Sequence, residues 1–147
     1  SGVLQWLFFQ AANLGPVAGQ VNHFNLYAPG DQHYARSRYQ TELGRLFDVM
    51  EAELRRHACF GSDSFSVADM AIYPWIVNLR ARYARTLSFV DPSSPAHPRL
   101  AEWVDECASR PAVQRAQAAF SAIRSTLATA TDEDRDRIFG RNAFARR

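Results

Sequence analysis

Apolar side chains recur at intervals of three and four residues between positions 33 and 57. The recurring positions are Leu43, Leu46, Phe47, Met50 and Leu54. This spacing predicts an amphipathic α-helix whose apolar stripe faces the core. Tyr34 and Arg38 are one turn apart and lie well round the helix from that stripe. We therefore expect the Arg38 guanidinium at the edge of the core.

The stretch 65–77 predicts a second helix with a defined start. Ser66 is followed three residues later by Asp69, a spacing at which both side chains bond the backbone of the first turn as a capping box. We interpret the pair as a structural helix cap and not as a catalytic pair. The residues that follow are apolar on every side of the helix, which favours a buried central position. Pro74 is expected to kink the helix.

The remaining segments also favour helices. Residues 3–12 carry many large apolar side chains and predict a largely buried helix, which Gly15 and Pro16 should bend or interrupt. Residues 98–109 and 111–127 predict two further helices separated by Arg110-Pro111.

Two regions break this pattern. Residues 19–32 predict an irregular or half-helical connection that could form a pocket wall. Residues 131–147 are highly charged and predict a tail that either docks or stays mobile, so we divide the chain into a helical domain (1–130) and a tail (131–147). No period-2 pattern of strands occurs, and the predicted fold class is all-α.

Composition limits the possible partners. The 147 residues are 47% hydrophobic and 22% charged, which suits one domain with a core. A net charge of +2, from 17 basic and 15 acidic residues along the chain, gives no strong field for nucleic acid or an anionic membrane. No apolar run approaches the roughly 20 residues that a membrane span needs.

The cysteines and histidines suggest no reactive centre. Cys59 and Cys107 are far apart and form no C-x-x-C motif, which favours reduced thiols in a cytoplasmic protein. His57 and Cys59 would point to different sides of a helix without a further ligand at metal spacing, so we predict no metal site. Cys59 is interpreted as a passive residue.

Seven short motifs carry a family resemblance. They are Leu4-Gln5-Trp6-Leu7-Phe8-Phe9-Gln10, Gly15-Pro16-x-x-Gly19-Gln20, Asn22-His23-Phe24, Tyr27-Ala28-Pro29, Tyr34-Ala35-x-x-Arg38-Tyr39, Ser66-x-Ala68-Asp69-x-Ala71 and Tyr73-Pro74-Trp75. In combination they resemble the C-terminal domain of a glutathione transferase. Within that superfamily the sequence is most similar to the nu class and its nitrogen-regulator-like relatives, from about residue 3 to residue 127.

The resemblance implies a helical bundle with a buried, capped central helix. It also implies a partner, the N-terminal thioredoxin-like domain that carries most of the glutathione site in this family. No βαβ pattern occurs in the chain, and we expect a fragment of a longer protein, inactive alone, rather than a stand-alone domain. The complete protein would be a homodimer that uses glutathione as cosubstrate, either to conjugate hydrophobic electrophiles or to reduce organic disulfides. The alternative is a non-catalytic helical binding or assembly module.

The resemblance also assigns residues, none of them catalytic. Arg38 stands where nu-class enzymes contact the bound tripeptide, and Gln20 and His23 lie in a segment that lines the approach to it. Related sequences often have a second histidine where this chain has Asn22. The wall of the second-substrate pocket would comprise Phe9, Asn13, Phe24 and Tyr34. The alternatives are a surface role for Arg38, a structural role for His23 and ordinary core positions for the pocket residues.

Overall fold

The computed structural model describes residues 1–145, apart from the side chain of Ala128, and within that range it contains helices and no strand. The helices are α1 (Gly2–Phe9), α2 (Gly15–Asn22), α3 (His33–Leu54), α4 (Val67–Tyr83), α5 (Pro98–Ala108), α6 (Pro111–Ser121) and α7 (Asp132–Phe139). The predicted all-α class is confirmed. The chain forms two compact units, residues 1–110 and the part from Pro111 onward. The predicted domain boundary at residue 130 stays a prediction.

No helix among residues 1–145 combines the length and the apolar character that crossing a bilayer requires.

α1 and α2 belong to one helical run that extends from residue 2 to residue 27. A π-helical turn, Gln10–Leu14, joins them, and the Gly15 N–H bonds to the Gln10 carbonyl five residues back. The turn lies directly before Pro16, whose ring would crowd the carbonyl four residues back in a regular α-helix. The predicted interruption is therefore a π turn and not a helix end. A second π turn, His23–Tyr27, follows, so only residues 28–32 of the predicted connection are non-helical.

The prediction that the first helix is largely buried is wrong for the described chain. Trp6 is buried and packs against Phe60, with ring centroids 4.8 Å apart. Leu4 and Phe8, in contrast, are 53% and 69% exposed. α1 is apolar on two sides, but only one of them packs on α4 within this chain.

α3 is the amphipathic helix that the spacing predicts. It begins at His33 and ends at Leu54. All five stripe residues, from Leu43 to Leu54, are buried at 1% exposure or less. The helix packs against α2 and α5, so the core of the first unit lies along this stripe.

α4 is central and capped, but it is open on one side. Its buried side carries Ile72, Ile76 and Leu79, each fully buried, and the helix continues through Pro74. On the other side Val67 and Met70 are 50% and 59% exposed. The predicted burial of this helix therefore applies to one face, and nothing in the described chain covers the second apolar face.

The start of α1 lies almost in backbone contact with the loop before α4. Gly61 has a φ of +76°, and a Cβ added there would lie 2.3 Å from the carbonyl carbon of Gly2. Both the left-handed conformation and the close approach require glycine at position 61.

The second unit is built from short elements. α6 ends at Ser121, before the predicted residue 127, and none of its residues is buried. α7 begins with a capping box formed by Thr131 and Asp134, and it ends at Phe139 with Gly140 as its C-cap. The predicted charged tail therefore contains a helix.

Candidate functional site

Asp69 is the centre of a buried polar cluster. It is fully buried and accepts hydrogen bonds from the Phe60 and Ser66 amides (3.0 and 2.8 Å), the Ser66 hydroxyl (3.0 Å) and the Trp103 indole N–H (3.0 Å). Four donors thus occupy the carboxylate. The arrangement suits a structural cap that also anchors α5 through Trp103, and it leaves Asp69 with no role as an acid or base.

Two buried glutamates extend this structural frame. Glu51 on α3 is 4% exposed and accepts hydrogen bonds from the Arg99 and Leu100 amides at 3.3 and 2.9 Å. It therefore caps the first turn of α5, because the N-cap residue His97 makes no capping bond with its own side chain. Glu53 is 6% exposed and accepts from the Trp6 indole N–H at 2.9 Å.

Arg38 lies on the solvent side of α3. Its side chain is 57% exposed, and its nearest ion pair joins Nη1 to Glu42 Oε2 at 3.9 Å. Glu42 is bound more tightly by Arg45, at 2.6 Å, and this hydrogen bond lowers the pKa of the Glu42 carboxyl. Most of the Arg38 guanidinium donors are consequently available to a carboxylate ligand.

Tyr39, the residue that follows Arg38, belongs to a cluster of aromatic rings. Phe24 stacks on Tyr39, with centroids 5.6 Å apart and planes at 11°, and His23 meets Phe24 edge-on at 5.1 Å. Two predicted site residues, His23 and Phe24, are therefore in one cluster with Tyr39. Tyr39 was not predicted as a site residue. Its adjacency to Arg38 was visible, but its contact with Phe24 spans fifteen positions and could not be derived from local spacing.

Asn22 has a structural partner. The Tyr83 hydroxyl donates to Asn22 Oδ1 at 2.9 Å, and burial raises the pKa of Tyr83. This bond ties the end of α2 to the end of α4. Local spacing in the sequence could not predict it, because the two residues are 61 positions apart.

The other predicted site residues are exposed or half-buried. Gln20 and Asn13 are exposed on the first helical run, and Tyr34 is 82% exposed at the start of α3. Phe9 is half-buried with its ring 4.8 Å from that of Trp6. Two surface clefts in the first unit, of about 410 and 530 Å³, are lined by none of the seven predicted glutathione and pocket residues.

The thiols are not activated. Cys59 and Cys107 form no disulfide. Burial, with the nearby Asp69 charge, raises the pKa of Cys59 and raises that of Cys107 to about 12. Both groups are therefore protonated thiols near neutral pH, as expected of passive residues. Within residues 1–145, no set of three His, Cys, Asp or Glu side chains is arranged to hold a metal ion.

Comparison with known families gives a direct match. Residues 31–106 match the family model described as the glutathione S-transferase C-terminal domain. This range includes Arg38, Tyr34 and the Ser66–Asp69 cap.

Two curated relatives are bacterial. The chain is 38% identical over 116 residues to the disulfide-bond oxidoreductase YfcG of Escherichia coli (strain K12), covering 79% of this chain and 50% of that protein. It is 34% identical over 113 residues to the disulfide-bond oxidoreductase YghU of the same organism, covering 76% and 38%. The chain thus spans at most about half the length of these relatives.

Solved structures show the same fold. The glutathione transferase URE2P6 from Phanerochaete chrysosporium, in complex with oxidized glutathione, has a TM-score of 0.73 at 28% identity, over 82% of this chain and 53% of that one. A glutathione transferase from Pseudomonas putida, with one glutathione disulfide bound per subunit, has a TM-score of 0.67 at 34% identity, over 78% and 49%.

Proposed function

The chain belongs to the glutathione S-transferase family as a C-terminal domain, and we propose that it is the helical half of a glutathione-dependent enzyme. In this proposal the complete protein is a cytoplasmic homodimer, of the nu class, that conjugates glutathione to hydrophobic electrophiles or reduces organic disulfides with it. An N-terminal thioredoxin-like domain would hold the glutathione sulfur. The names of the bacterial relatives favour disulfide reduction.

The observation that carries the proposal is the position of Arg38. It lies inside the matched family range, it is exposed, and its ion pair with Glu42 is long at 3.9 Å. A guanidinium fork binds a carboxylate through two parallel hydrogen bonds, and glutathione carries two carboxylates. We assign Arg38 to one of them. Gln20 and His23 would lie along the approach to it.

The role of this half would be positioning and not sulfur chemistry. Holding the carboxylate fixes the tripeptide, so that its thiol and the second substrate meet in a defined orientation. The stacked Phe24 and Tyr39 rings would form one side of an apolar pocket. Phe9, Asn13 and Tyr34 would join that pocket only when another surface covers them, because each is partly or largely exposed in this chain.

The exposed apolar faces of α1 and α4 are the proposed docking surface for the thioredoxin-like domain. α1 packs on α4, and the two helices expose Leu4, Phe8, Val67 and Met70, each about half exposed or more. A contiguous exposed apolar patch marks an interaction site in a folded protein, and we propose that these four side chains form one. The matched region covers only half of the bacterial relative YfcG, which supports such a partner.

The proposal is tested by calorimetric titration of glutathione and glutathione disulfide into this chain. We expect weak binding that Arg38→Ala abolishes. Arg45→Ala is the matched control, since Arg45 lies on the same helix, is equally exposed and pairs with the same Glu42. Equal heats for wild type and Arg38→Ala would overturn the assignment of Arg38, and loss of binding in Arg45→Ala as well would point to a non-specific charge effect.

A further inference from the structure

A cleft of about 410 Å³ lies on the side of α3 away from Arg38. Asn25, Arg36, Ser37, Gln40, Leu87 and Phe89 line it. Its α3 residues recur at one-turn spacing and are rotated by roughly a third of a turn from Arg38, since each residue advances about 100°. The volume falls within the range of small-molecule sites, about 300 to 1,000 Å³. We call it the α3 cleft.

One wall of the α3 cleft is polar and held in place. Asn25 Nδ2 donates to the Val21 carbonyl at 2.7 Å, and Gln40 Nε2 donates to Asn25 Oδ1 at 3.1 Å. Arg36 Nη2 donates to Asp31 Oδ1 at 3.0 Å. That bond uses one of the five guanidinium donors, so the anchored group keeps several for a ligand.

The opposite wall is apolar and also fixed. The Phe89 ring meets Phe47 edge-on at 5.4 Å, and its carbonyl lies 3.2 Å from His97 Nδ1. The ring lies over Gly44 of α3, where an added Cβ would meet it at an ordinary van der Waals distance of 3.7 Å. Leu87 is held by the bond from its amide to the Tyr83 carbonyl, 2.8 Å. The two walls are thus preorganised and differ in chemistry.

From this pairing of walls we infer that the α3 cleft is a second binding site, separate from the proposed glutathione site, for a small molecule with a carboxylate on an aromatic or aliphatic body. The carboxylate binds Arg36, with Ser37 and Gln40 as neutral hydrogen-bonding groups. The apolar body lies against Leu87 and Phe89. Among the described residues that line the cleft there is no carboxylate. The ligand carboxylate would share the Arg36 guanidinium with Asp31, which accepts a hydrogen bond from Nη2 at 3.0 Å.

The test is a titration of 4-phenylbutyrate into the isotopically labelled 147-residue chain, followed by amide chemical shifts. The expected dissociation constant is about 1 mM, as for a fragment of this size, with the largest shifts at Ser37, Gln40 and Phe89. Two further probes test the contribution of each wall: 4-phenylbutan-1-ol lacks the carboxylate for the polar wall, and butyrate lacks the ring for the apolar wall. Each should bind about fivefold more weakly or worse.

Arg36→Gln should weaken 4-phenylbutyrate binding by about fivefold or more, and Arg36→Lys by less, because the lysine keeps the charge and loses the fork. Arg45→Gln, another exposed and ion-paired arginine of α3, should leave binding unchanged. The inference is overturned if the shifts map outside the cleft, if Arg36→Gln binds like wild type, or if the alcohol binds as well as the acid.

Discussion

The Asp69 cluster and the Arg38 surface are both polar, but they differ in how far the chain completes them. Asp69 is fully buried and takes four hydrogen bonds from its own chain. Arg38 is 57% exposed and has one long ion pair. The hydrogen-bonding capacity of Asp69 is thus used within the chain, whereas most donors of Arg38 are not. The structural frame of this domain is therefore complete, whereas the surface that we propose for glutathione is not.

The apolar residues show the same contrast. The stripe of α3 is buried at 1% exposure or less, while Phe8 on α1 and Met70 on α4 are 69% and 59% exposed. Hydrophobic side chains on one helix face are stabilising only where something covers them. The covered faces hold this half together, and the uncovered ones are where we propose that the rest of the protein packs.

The largest effect on stability is expected at the buried Asp69 cluster. Asp69→Ala removes the cap and leaves the buried Trp103 indole and Phe60 amide without an acceptor. We expect a loss of about 3 to 5 kcal/mol of unfolding free energy, measured by urea denaturation.

Ser66→Ala is the matched control. It removes the cap hydroxyl but keeps the acceptor for Trp103 and Phe60, so it should cost about 1 kcal/mol. If the unfolding free energies of Asp69→Ala and Ser66→Ala differ by less than 1 kcal/mol, the buried hydrogen bonds to Trp103 and Phe60 add no stability beyond the cap.

A smaller loss is expected where two backbones meet. Gly61→Ala places a methyl group against the Gly2 backbone in a left-handed conformation, and we expect a loss of about 2 to 4 kcal/mol. Gly30→Ala separates the cost of the left-handed backbone from the cost of the contact with Gly2. Gly30 has a similar φ of +69°, but it has open space around it. It should lose only about 1 kcal/mol. Equal losses in the two variants would show that the contact with α1 is unimportant.

The weakest effect on folding, and a clear one on association, is expected at the open apolar face. We predict that this chain self-associates and that Met70→Glu weakens the association about tenfold without loss of stability, because a carboxylate near a helix start is tolerated. Sedimentation equilibrium measures the association, and urea denaturation measures the stability. Ala52→Glu, exposed on α3, is the control. A wild-type chain that stays monomeric at high concentration contradicts the prediction.

The sequence allowed predictions where the determining contacts are local. The α3 stripe recurs every three or four residues, and the Ser66–Asp69 box joins two residues within one turn. Spacing alone therefore predicted both. The Trp103 bond to Asp69 and the Glu51 cap of α5 join positions 34 and 49 residues apart, beyond any periodicity. Burial of α1 was predicted wrongly because an apolar pattern indicates that a face is covered, but not whether the covering surface lies in the same chain. For the same reason the roles of Arg38 and His23 rested on family resemblance, and they remain proposals.

The most direct test is the thermal unfolding of wild type and Arg38→Ala, each with and without glutathione disulfide. A ligand present at ten times a dissociation constant of about 1 mM stabilises the folded state by about 1.4 kcal/mol, which raises Tm by a few degrees. We predict equal Tm values for the two proteins without ligand and a rise in wild type alone. A lower Tm for unliganded Arg38→Ala would make Arg38 structural, and an equal rise in both proteins would remove it from the glutathione site.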